Sequence, residues 1–380
     1  MADYKIPFNR PGILGRELEY VKKSIEENQY ISGDGFFTKK CQNLLENYLD
    51  IPKVLLTTSC THALEMSAIL LDIKPGDEVI VPSFTFVSTA NAFVMRGARP
   101  VFVDIRDDTL NMDENKIEGL ITEKTRAIIP VHYGGVGCEM EVICDIAEKY
   151  NIPIIEDNAH GLLGRYRGEY LGLFGSLGTL SFHETKNFTS GEGGALIIND
   201  ETLIERAEII REKGTNRARF FRGEVDKYTW RDVGSSYLPS DILAAFLLGQ
   251  LEKRDFIQNK RKQIWNFYKD NLSEWAGGNK VKIPFVPPYA EQSYHLFYLR
   301  LPSIDIRGKL IHHLKNKSIL SVFHYLPLHL SPMGKRFGYK KGDFPATEIV
   351  SDSILRLPFY NTIKIEELEE VCGAIREFHC

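Results

Sequence analysis

The chain contains short, almost continuous apolar runs separated by amphipathic stretches. The runs are KVLLT (53–57), EVIVP (78–82), RPVFVD (99–104), RAIIPV (126–131) and IPIIED (152–157), followed later by TLSF and ALIIN. Helical periodicity occupies residues 61–72, 86–96 and 139–150, with a shorter stretch near 114–121. Apolar strands that alternate with helices indicate βαβ units and a sheet buried on both faces. The pattern predicts an α/β fold with a mostly parallel sheet of about seven strands flanked by helices.

The pattern changes on either side of this region. Helical periodicity precedes it at 15–28 and 37–49 and follows it at 239–272, and a proline-rich loop lies at 283–292. The remaining pattern is strand (294–301), helix (305–316), strand (318–323), loop and closing helix (364–378). We therefore expect a large α/β domain with an N-terminal helical segment over residues 1–250 and a smaller C-terminal α+β domain over residues 251–380.

Composition narrows the class of protein. The chain has 380 residues and a net charge of −4, so no general field attracts it to nucleic acid or membranes, and we expect neither as a partner. The N-terminal MADYKIPFNRPG lacks the pattern of a signal peptide, and no apolar run approaches the roughly 18 residues of a membrane span. Six cysteines without CxxC spacing predict free thiols and no metal site. These observations favour a cytoplasmic protein.

Small polar residues follow the first predicted strand, in TTSCTHALEM. Ser59, Cys60 and Thr61 stand just before or at the start of a helix. Free amide groups and short hydroxyl side chains at a helix start bind phosphate. The alternative, favoured if this segment is considered alone, is that Ser59 or Thr61 only caps the helix.

Two further groups stand at predicted strand ends. In EDNAH, Asp157 and Ala159 share a face if the chain is extended, which places a carboxylate beside a minimal side chain and suits a flat heterocycle with a ring N–H. Lys186 lies among small polar residues and glycines in SFHETKNFTSGEGGA. Pyridoxal phosphate enzymes combine a Schiff-base lysine with a carboxylate on the pyridinium nitrogen. A phosphate cup, a carboxylate and a lysine together predict pyridoxal 5′-phosphate as the cofactor.

Longer stretches carry a resemblance to a known family. They are KVLLTTSCTHALEMSAILLDIKPGDEVIVPSFTFVSTANAFV, PVHYGGVGCEM, SFHETKNFTSGEGGA, ERAEIIREKGTNRARFFRGEVDKYTWRDVGSSYLPSD and VFHYLPLH. With these stretches the chain resembles the DegT/DnrJ/EryC1/StrS sugar-nucleotide aminotransferases from IPFNRP to the last helix. The resemblance implies the fold of a fold-type-I pyridoxal-phosphate-dependent transferase. It also implies a homodimer with active sites at the subunit interface.

The resemblance assigns roles to individual residues. It implies that Lys186 binds the cofactor covalently, that Asp157 pairs with the pyridine nitrogen and that His160 bonds the phenolic oxygen, where many relatives have glutamine. Phe86 would stack on the ring, and the phosphate would contact Ser59, Cys60, Thr61, Ser181 and, from the partner subunit, Ser236. Many relatives have asparagine at the position of Ser236, so in this chain a shorter side chain, a hydroxyl, would donate to the phosphate.

The resemblance also implies a reaction. The substrates would be dTDP-4-keto-6-deoxy-D-glucose and L-glutamate, and the products dTDP-4-amino-4,6-dideoxy-D-galactose and 2-oxoglutarate. Amination of carbon 3, or of another nucleotide keto-sugar, is the alternative within the enzyme class, and a catalytically idle regulator is the alternative outside it. The candidates for substrate contacts are His183, Tyr325, His329, Arg217, Lys227 and Trp230. For Tyr325 and His329, packing in the core or in a loop is an equally good interpretation. For residues 216–230, a solvated charged loop is an equally good interpretation.

Overall fold

The computed structural model describes residues 4–379. Up to Glu252 its helices are α1 (Glu17–Glu26), α2 (Phe36–Leu49), α3 (Cys60–Leu70), α4 (Val87–Val94), α5 (Met140–Tyr150), α6 (Ile204–Arg211), α7 (Arg217–Phe221) and α8 (Asp241–Glu252). The strands of the same part are β1 (Lys53–Thr57), β2 (Glu78–Pro82), β3 (Arg99–Val103), β4 (Thr125–Ile128), β5 (Ile155–Asp157), β6 (Arg165–Tyr166), β7 (Glu169–Tyr170), β8 (Leu177–Ser181) and β9 (Gly194–Ile198). The helix expected near 114–121 is a pair of short 3-10 helices instead.

Seven of these strands form the central sheet. Two groups, β1-β9-β8-β5 and β3-β2-β4, are joined by parallel bridges from Ile128 to Ile154 and from Val131 to Asp157. The resulting order is β1-β9-β8-β5-β4-β2-β3. Only β9 in this sheet runs against its neighbours, β1 and β8. The prediction of a mostly parallel sheet of about seven strands is confirmed.

Both faces of the sheet are buried, because alternate residues of each strand pack against different helices. Leu55 of β1 and Leu196 of β9 contribute to the apolar cluster that contains α3 and α4. Their neighbours Val54 and Ile197 contribute to the cluster on the other face, which contains α2 and α8. Continuous apolar runs, rather than alternating ones, were therefore the correct signal for these strands.

The rest of the described chain contains a separate apolar cluster around a long helix, called here the C-terminal cluster. Its elements are α9 (Arg254–Gly278), β10 (Ala290–Glu291), β11 (Tyr298–Arg300), α10 (Ile304–Asn316), α11 (Pro332–Arg336), α12 (Pro345–Ser353), β12 (Ile354–Arg356) and α13 (Ile365–Arg376). Trp265 and Tyr268 of α9 pack there with Phe297 and with apolar residues of α10 and α13. The helix predicted over 239–272 is two helices, α8 and α9, interrupted at Lys253.

One predicted strand of this C-terminal part does not form. Residues 318–323 make only isolated bridges, from Ile319 to Ile6 and from Val322 to Arg356. The strand that pairs with β11 is β12, an antiparallel partner further along the chain. The apolar run at 318–323 is explained by packing, since Ile319 is fully buried in the C-terminal cluster.

The two parts of the chain are interwoven. β10 pairs with β6, and Tyr339 packs against Phe102 of β3. The boundary at residue 250 stays a prediction, because the chain after it returns repeatedly to the central sheet. Among residues 4–379, no helix is both long and apolar enough to cross a membrane.

Candidate active site

Three strand ends meet at one edge of the central sheet. Since β1, β5 and β8 run in the same direction, their carboxyl ends lie on the same side, which is where ligands bind in open α/β sheets. The start of α3 follows β1, Asp157 ends β5, and the segment with Lys186 follows β8. These groups line one cavity of about 500 Å³. The structure thus brings together the three groups that the sequence singled out.

The segment that carries Lys186 connects two antiparallel neighbours, β8 and β9. Backbone hydrogen bonds close it, from Phe182 N–H to the carbonyl of Gly193 (2.8 Å) and from Ser190 N–H to the carbonyl of Phe182 (2.9 Å). A side chain at Gly194 would place its Cβ 2.3 Å from the backbone nitrogen of Cys60. Glycine there allows β9 to approach the first turn of α3, which explains part of the glycine-rich sequence after the lysine.

Lys186 has the chemical setting of a reactive amine. Its Nζ neither donates a hydrogen bond nor forms an ion pair within residues 4–379, and the half-buried side chain lines the cavity. Burial lowers the pKa of the amine to about 8, Cys60 and Asp157 raise it, and Arg356 lowers it further. A lysine with such a pKa is partly neutral near physiological pH and can act as a nucleophile or a base.

The residue after the lysine fixes its position. Asn187 donates to the carbonyl of Ser293 (2.7 Å), and its side-chain oxygen accepts from His295 Nδ1 (2.8 Å). Asn361 donates to the backbone carbonyl of Asn187 at 3.3 Å. These three bonds reach the chain more than a hundred residues downstream, so the C-terminal part orients Lys186.

Both carboxylate oxygens of Asp157 accept hydrogen bonds. Its Oδ2 accepts from the hydroxyl of Thr89 at 2.6 Å, and its Oδ1 accepts from the amide of Ala159 at 3.2 Å. Thr89 bonds in turn to Thr85 at 2.8 Å. The carboxylate is almost completely buried but lines the cavity, so it can pair with a buried cation such as a protonated ring nitrogen.

His160 is a neutral donor. Its Nδ1 accepts from the amide of Gly134 at 3.3 Å, and its ring stacks on His295 with centroids 4.1 Å apart. Burial, with Lys186 and Arg356 nearby, holds the pKa of His160 well below its usual value. A neutral ring that accepts at Nδ1 carries its proton on Nε2. That proton is available to an oxygen acceptor in the cavity.

The start of α3 can bind an anion. Ser59 caps the helix, with its hydroxyl accepting from the amide of His62 at 3.1 Å, so the capping interpretation is correct for this residue. The first amides of a helix have no carbonyl partner within it, and the helix dipole favours a negative charge there. The hydroxyls of Thr61 and Ser88, 2.8 Å apart, and that of Ser181 also line this part of the cavity.

Cys60 is present in this turn but its thiol is inert. Burial raises its pKa to about 12. Because the thiolate is the reactive form, the thiol stays protonated and serves as packing.

These residues fit pyridoxal 5′-phosphate. The amides of α3 and the nearby hydroxyls would hold the phosphate, Asp157 the ring nitrogen, and His160 the phenolic oxygen, with Lys186 free to bind the aldehyde. Phe86, the residue before α4, lines the cavity with 57% of its surface exposed and is available to cover the ring.

The candidates for substrate contacts divide into two groups. His183 and Tyr325 line the cavity, His183 near its mouth beside Glu192 (3.8 Å). His329 is fully buried outside it and bonds Ser83 (2.6 Å) and Glu348 (3.0 Å), which is the packing alternative. The remaining candidates, with Ser236, do not line this cavity but lie in the segment 214–238; they are Arg217, Lys227 and Trp230.

Among the cavity residues that were not singled out from the sequence are Thr89, His295, His324 and Arg356. Thr89 lies inside a helix and the others in the C-terminal part, so none follows a strand of the central sheet. A buried arginine in an apolar run, as in ILRLPF, was the one local signal for Arg356, since arginine is rarely buried without a partner.

Comparison with known proteins agrees with this geometry. The model of the DegT/DnrJ/EryC1/StrS aminotransferase family matches residues 12–376. GDP-perosamine synthase of Escherichia coli O157:H7 is 32% identical, over 98% of each chain. The UDP-4-amino-4-deoxy-L-arabinose–oxoglutarate aminotransferase of Shewanella sediminis is 31% identical, over 99% of each chain.

Solved structures extend the comparison to the fold. Spr1654 of Streptococcus pneumoniae, assigned as a sugar aminotransferase, is 29% identical in its PMP-form, with a TM-score of 0.91 over 98% of each chain. Its PLP-form gives a TM-score of 0.90 at 28% identity, over 98% of each chain. The predicted fold, that of a fold-type-I pyridoxal-phosphate-dependent transferase, and the predicted cofactor are confirmed by these matches. The chain therefore belongs to the DegT/DnrJ/EryC1/StrS aminotransferase family.

Proposed function

We propose that this protein transfers the amino group of L-glutamate to carbon 4 of dTDP-4-keto-6-deoxy-D-glucose. The products are 2-oxoglutarate and dTDP-4-amino-4,6-dideoxy-D-galactose. The observation that carries the chemistry is the amine of Lys186, which has no hydrogen-bond or ion-pair partner within residues 4–379 and shares one cavity with the carboxylate of Asp157 and the start of α3. Pyridoxal phosphate, when bound, supplies an electron sink at its ring nitrogen.

The chain's own groups have separate tasks in this reaction. The neutral amine of Lys186, available because its pKa is about 8, removes the α-proton of glutamate in the first half of the reaction and delivers a proton to carbon 4 of the sugar in the second half. Asp157 keeps the ring nitrogen protonated, and Thr89 fixes the carboxylate by its 2.6 Å bond. His160 donates from Nε2. These tasks require no charged histidine, in agreement with the lowered pKa of His160.

The choice of substrates rests on two supports. For the sugar, the support is the long resemblance that includes SFHETKNFTSGEGGA and VFHYLPLH. For the amino donor, the name of the Shewanella relative couples its sugar product to oxoglutarate, which is the keto acid of glutamate. The Escherichia relative is named for a GDP-sugar, so another nucleotide keto-sugar, or carbon 3, is the alternative.

An amination assay tests the proposal. The holoenzyme is incubated with L-glutamate and, separately, with dTDP-, UDP- and GDP-linked keto-sugars, and the products are identified by NMR. We expect the dTDP-4-keto sugar to react with the highest kcat/KM and to give the axial 4-amine. Faster amination of a different sugar would replace the substrate but keep the enzyme class. No amination of any of them, in a protein that binds the cofactor, would favour the idle regulator.

We also propose that the protein is a homodimer whose partner completes each site. The support is the segment 214–238, where Trp230 is 78% exposed and Phe221 is 65% exposed, together with the exposed hydroxyl of Ser236. None of these side chains lines the cavity of its own chain. In the proposed dimer the segment reaches the partner's cavity, with Ser236 at the phosphate and Arg217, Lys227 and Trp230 near the nucleotide.

Subunit mixing tests the shared site. Lys186→Ala chains are mixed with chains made inactive by substitution within residues 234–237, after tagged subunits have been shown to exchange. Random pairing makes about half of the dimers heterodimers, each with one intact site of two, so roughly a quarter of the wild-type activity should return. Heterodimers that form and stay inactive would contradict the shared site.

A further inference from the structure

Buried arginines in this protein normally have oxygen acceptors. Arg211 bonds Asp34 at 2.9 Å, and Arg300 bonds Asp107 at 2.7 Å. Arg261, the most deeply buried, donates to the carbonyl of Tyr294 at 2.9 Å and to further carbonyl and amide oxygens. Pairing of this kind is expected, because a buried charge without a partner is costly.

Arg356 is the exception among the buried arginines of residues 4–379. Its guanidinium makes one hydrogen bond, from Nη1 to His324 Nε2 at 3.0 Å, and its Nε has no acceptor. Phe8 lies 4.7 Å below the guanidinium, which supplies packing but no negative charge. Arg356 is only 8% exposed, and it lines the cavity.

The nitrogen acceptor does not neutralise the arginine. Arginine only donates, so His324 accepts at Nε2 and carries its proton on Nδ1, which then donates to the hydroxyl oxygen of Tyr133 at 3.1 Å. Burial, Arg356 and other nearby groups hold the pKa of His324 well below its usual value, and the ring is neutral. The arginine thus faces the cavity as a cation with unused donors.

The charges in the cavity leave this cation without a counterpart. In the proposed function Asp157 pairs with the ring nitrogen, and Glu192 lies at the exposed mouth, 3.8 Å from His183. Arg356 acts electrostatically on Lys186, whose pKa it lowers, so its charge is felt where the amine reacts. The inner wall of the cavity therefore has a place for one anion.

We propose that Arg356 binds the α-carboxylate of the amino donor. This inference rests on the proposed aminotransferase function and names the residue that recognises the donor. The α-carboxylate of an amino acid is separated from its nitrogen by a single carbon, so it lies close to the reacting amine. A nucleotide diphosphate is separated from carbon 4 of its sugar by the pyranose ring, so it lies further out. A planar guanidinium with free donors matches a carboxylate bidentately.

The test compares two donors that differ only in the α-carboxylate. L-Glutamate and γ-aminobutyrate are each given to the holoenzyme without any sugar, and conversion of the cofactor to its amine form is followed by absorbance. The wild type should prefer glutamate. Arg356→Gln should reduce kcat/KM for glutamate by roughly 10- to 100-fold, as expected for loss of a charged hydrogen-bond pair, and leave γ-aminobutyrate almost unchanged. Arg356→Lys keeps the charge but not the planar pair of donors, so its kcat/KM for glutamate should lie between those of the wild type and Arg356→Gln.

Binding measurements separate this role from a structural one. Calorimetry with glutarate, a dicarboxylate that cannot react, should show the same loss of affinity in Arg356→Gln, while the affinity for dTDP stays constant. Arg300→Gln is the matched control, a buried arginine on the adjacent strand β11 that does not line the cavity, and it should leave donor preference unchanged.

Three outcomes would overturn the proposal. They are an equal loss for both donors, a loss that falls on dTDP instead of glutarate, and unchanged glutarate affinity. Should Arg356→Gln fail to fold, the donor preference of Arg356→Lys decides in the same way. The donor assays and the glutarate titration contain no nucleotide sugar, so they remain valid if the sugar of the proposed function is wrong.

Discussion

The cavity around Lys186 and the segment 214–238 differ in whether their polar and aromatic side chains have partners within the same chain. In the cavity, Asp157 and His160 have fixed partners within the chain. In the segment, Arg217 is already paired with Glu212 at 2.8 Å, whereas Trp230 lies open to solvent. The comparison indicates that the groups expected around the cofactor ring are oriented by partners within one chain, whereas the segment keeps a large aromatic side chain exposed.

The largest effect should follow removal of the reactive amine. Lys186→Ala should lose all measurable turnover and the visible absorbance of the lysine-bound cofactor while it stays folded by circular dichroism. Borohydride reduction of the wild type followed by peptide mapping should place the pyridoxyl group on Lys186. Lys340→Ala, at an exposed lysine, is the control and should behave like the wild type. A label on any other lysine would end this assignment.

A smaller loss is expected at the carboxylate. Asp157→Asn keeps the shape and the bond from Thr89 but no longer holds a proton on the ring nitrogen. Turnover should fall by roughly two decades or more, in the range of general acid–base contributions, while cofactor still binds. Steady-state kinetics with saturating cofactor measure this. Turnover near that of the wild type would show that the site works without the carboxylate, and the fixed partners of Asp157 would then have no role in catalysis.

The lowered pKa of Lys186 also predicts a pH dependence of stability without cofactor. The folded pKa is about 8 and the ordinary value is 10.5, so between these values the unfolded chain binds more protons. The free energy of unfolding of the cofactor-free wild type should therefore rise with pH across this window, by at most about 3 kcal/mol, relative to Lys186→Met. Urea titrations at several pH values measure it, and parallel curves would contradict the lowered pKa. Lys340→Met should run parallel to the wild type.

The smallest effect is expected in the exposed segment. Trp230→Ala should weaken dTDP binding about 10-fold, the size of one aromatic stacking contact with a base. Turnover at saturating sugar should stay within a factor of about 2, because the cavity is untouched. Phe256→Ala, another exposed aromatic, is the control and should leave dTDP affinity unchanged. If calorimetry finds equal dTDP affinity in both variants, the segment does not contact the nucleotide.

What the sequence could predict depended on distance along the chain. The strands of the central sheet and the groups directly after them are local features, and the sequence pointed to Asp157 after β5 and Lys186 after β8 for that reason. Thr89 was not identified from the sequence, because its bond to Asp157 spans 68 residues and nothing in VSTANAFV indicates a site residue. The strand expected at 318–323 was wrong because an apolar run cannot tell a buried loop from a strand; the pairing with β11 is made at 354–356.

The long-range bonds of Asn187 have a consequence for biosynthesis. During synthesis the sheet strands and the lysine leave the ribosome first, but Ser293 and His295, which fix the residue beside Lys186, follow 106 and 108 residues later. A nascent chain that has folded only its first half therefore has a lysine without its final orientation. The orientation of Lys186 is therefore completed late, only after the C-terminal part of the chain has been synthesised and has folded against the sheet.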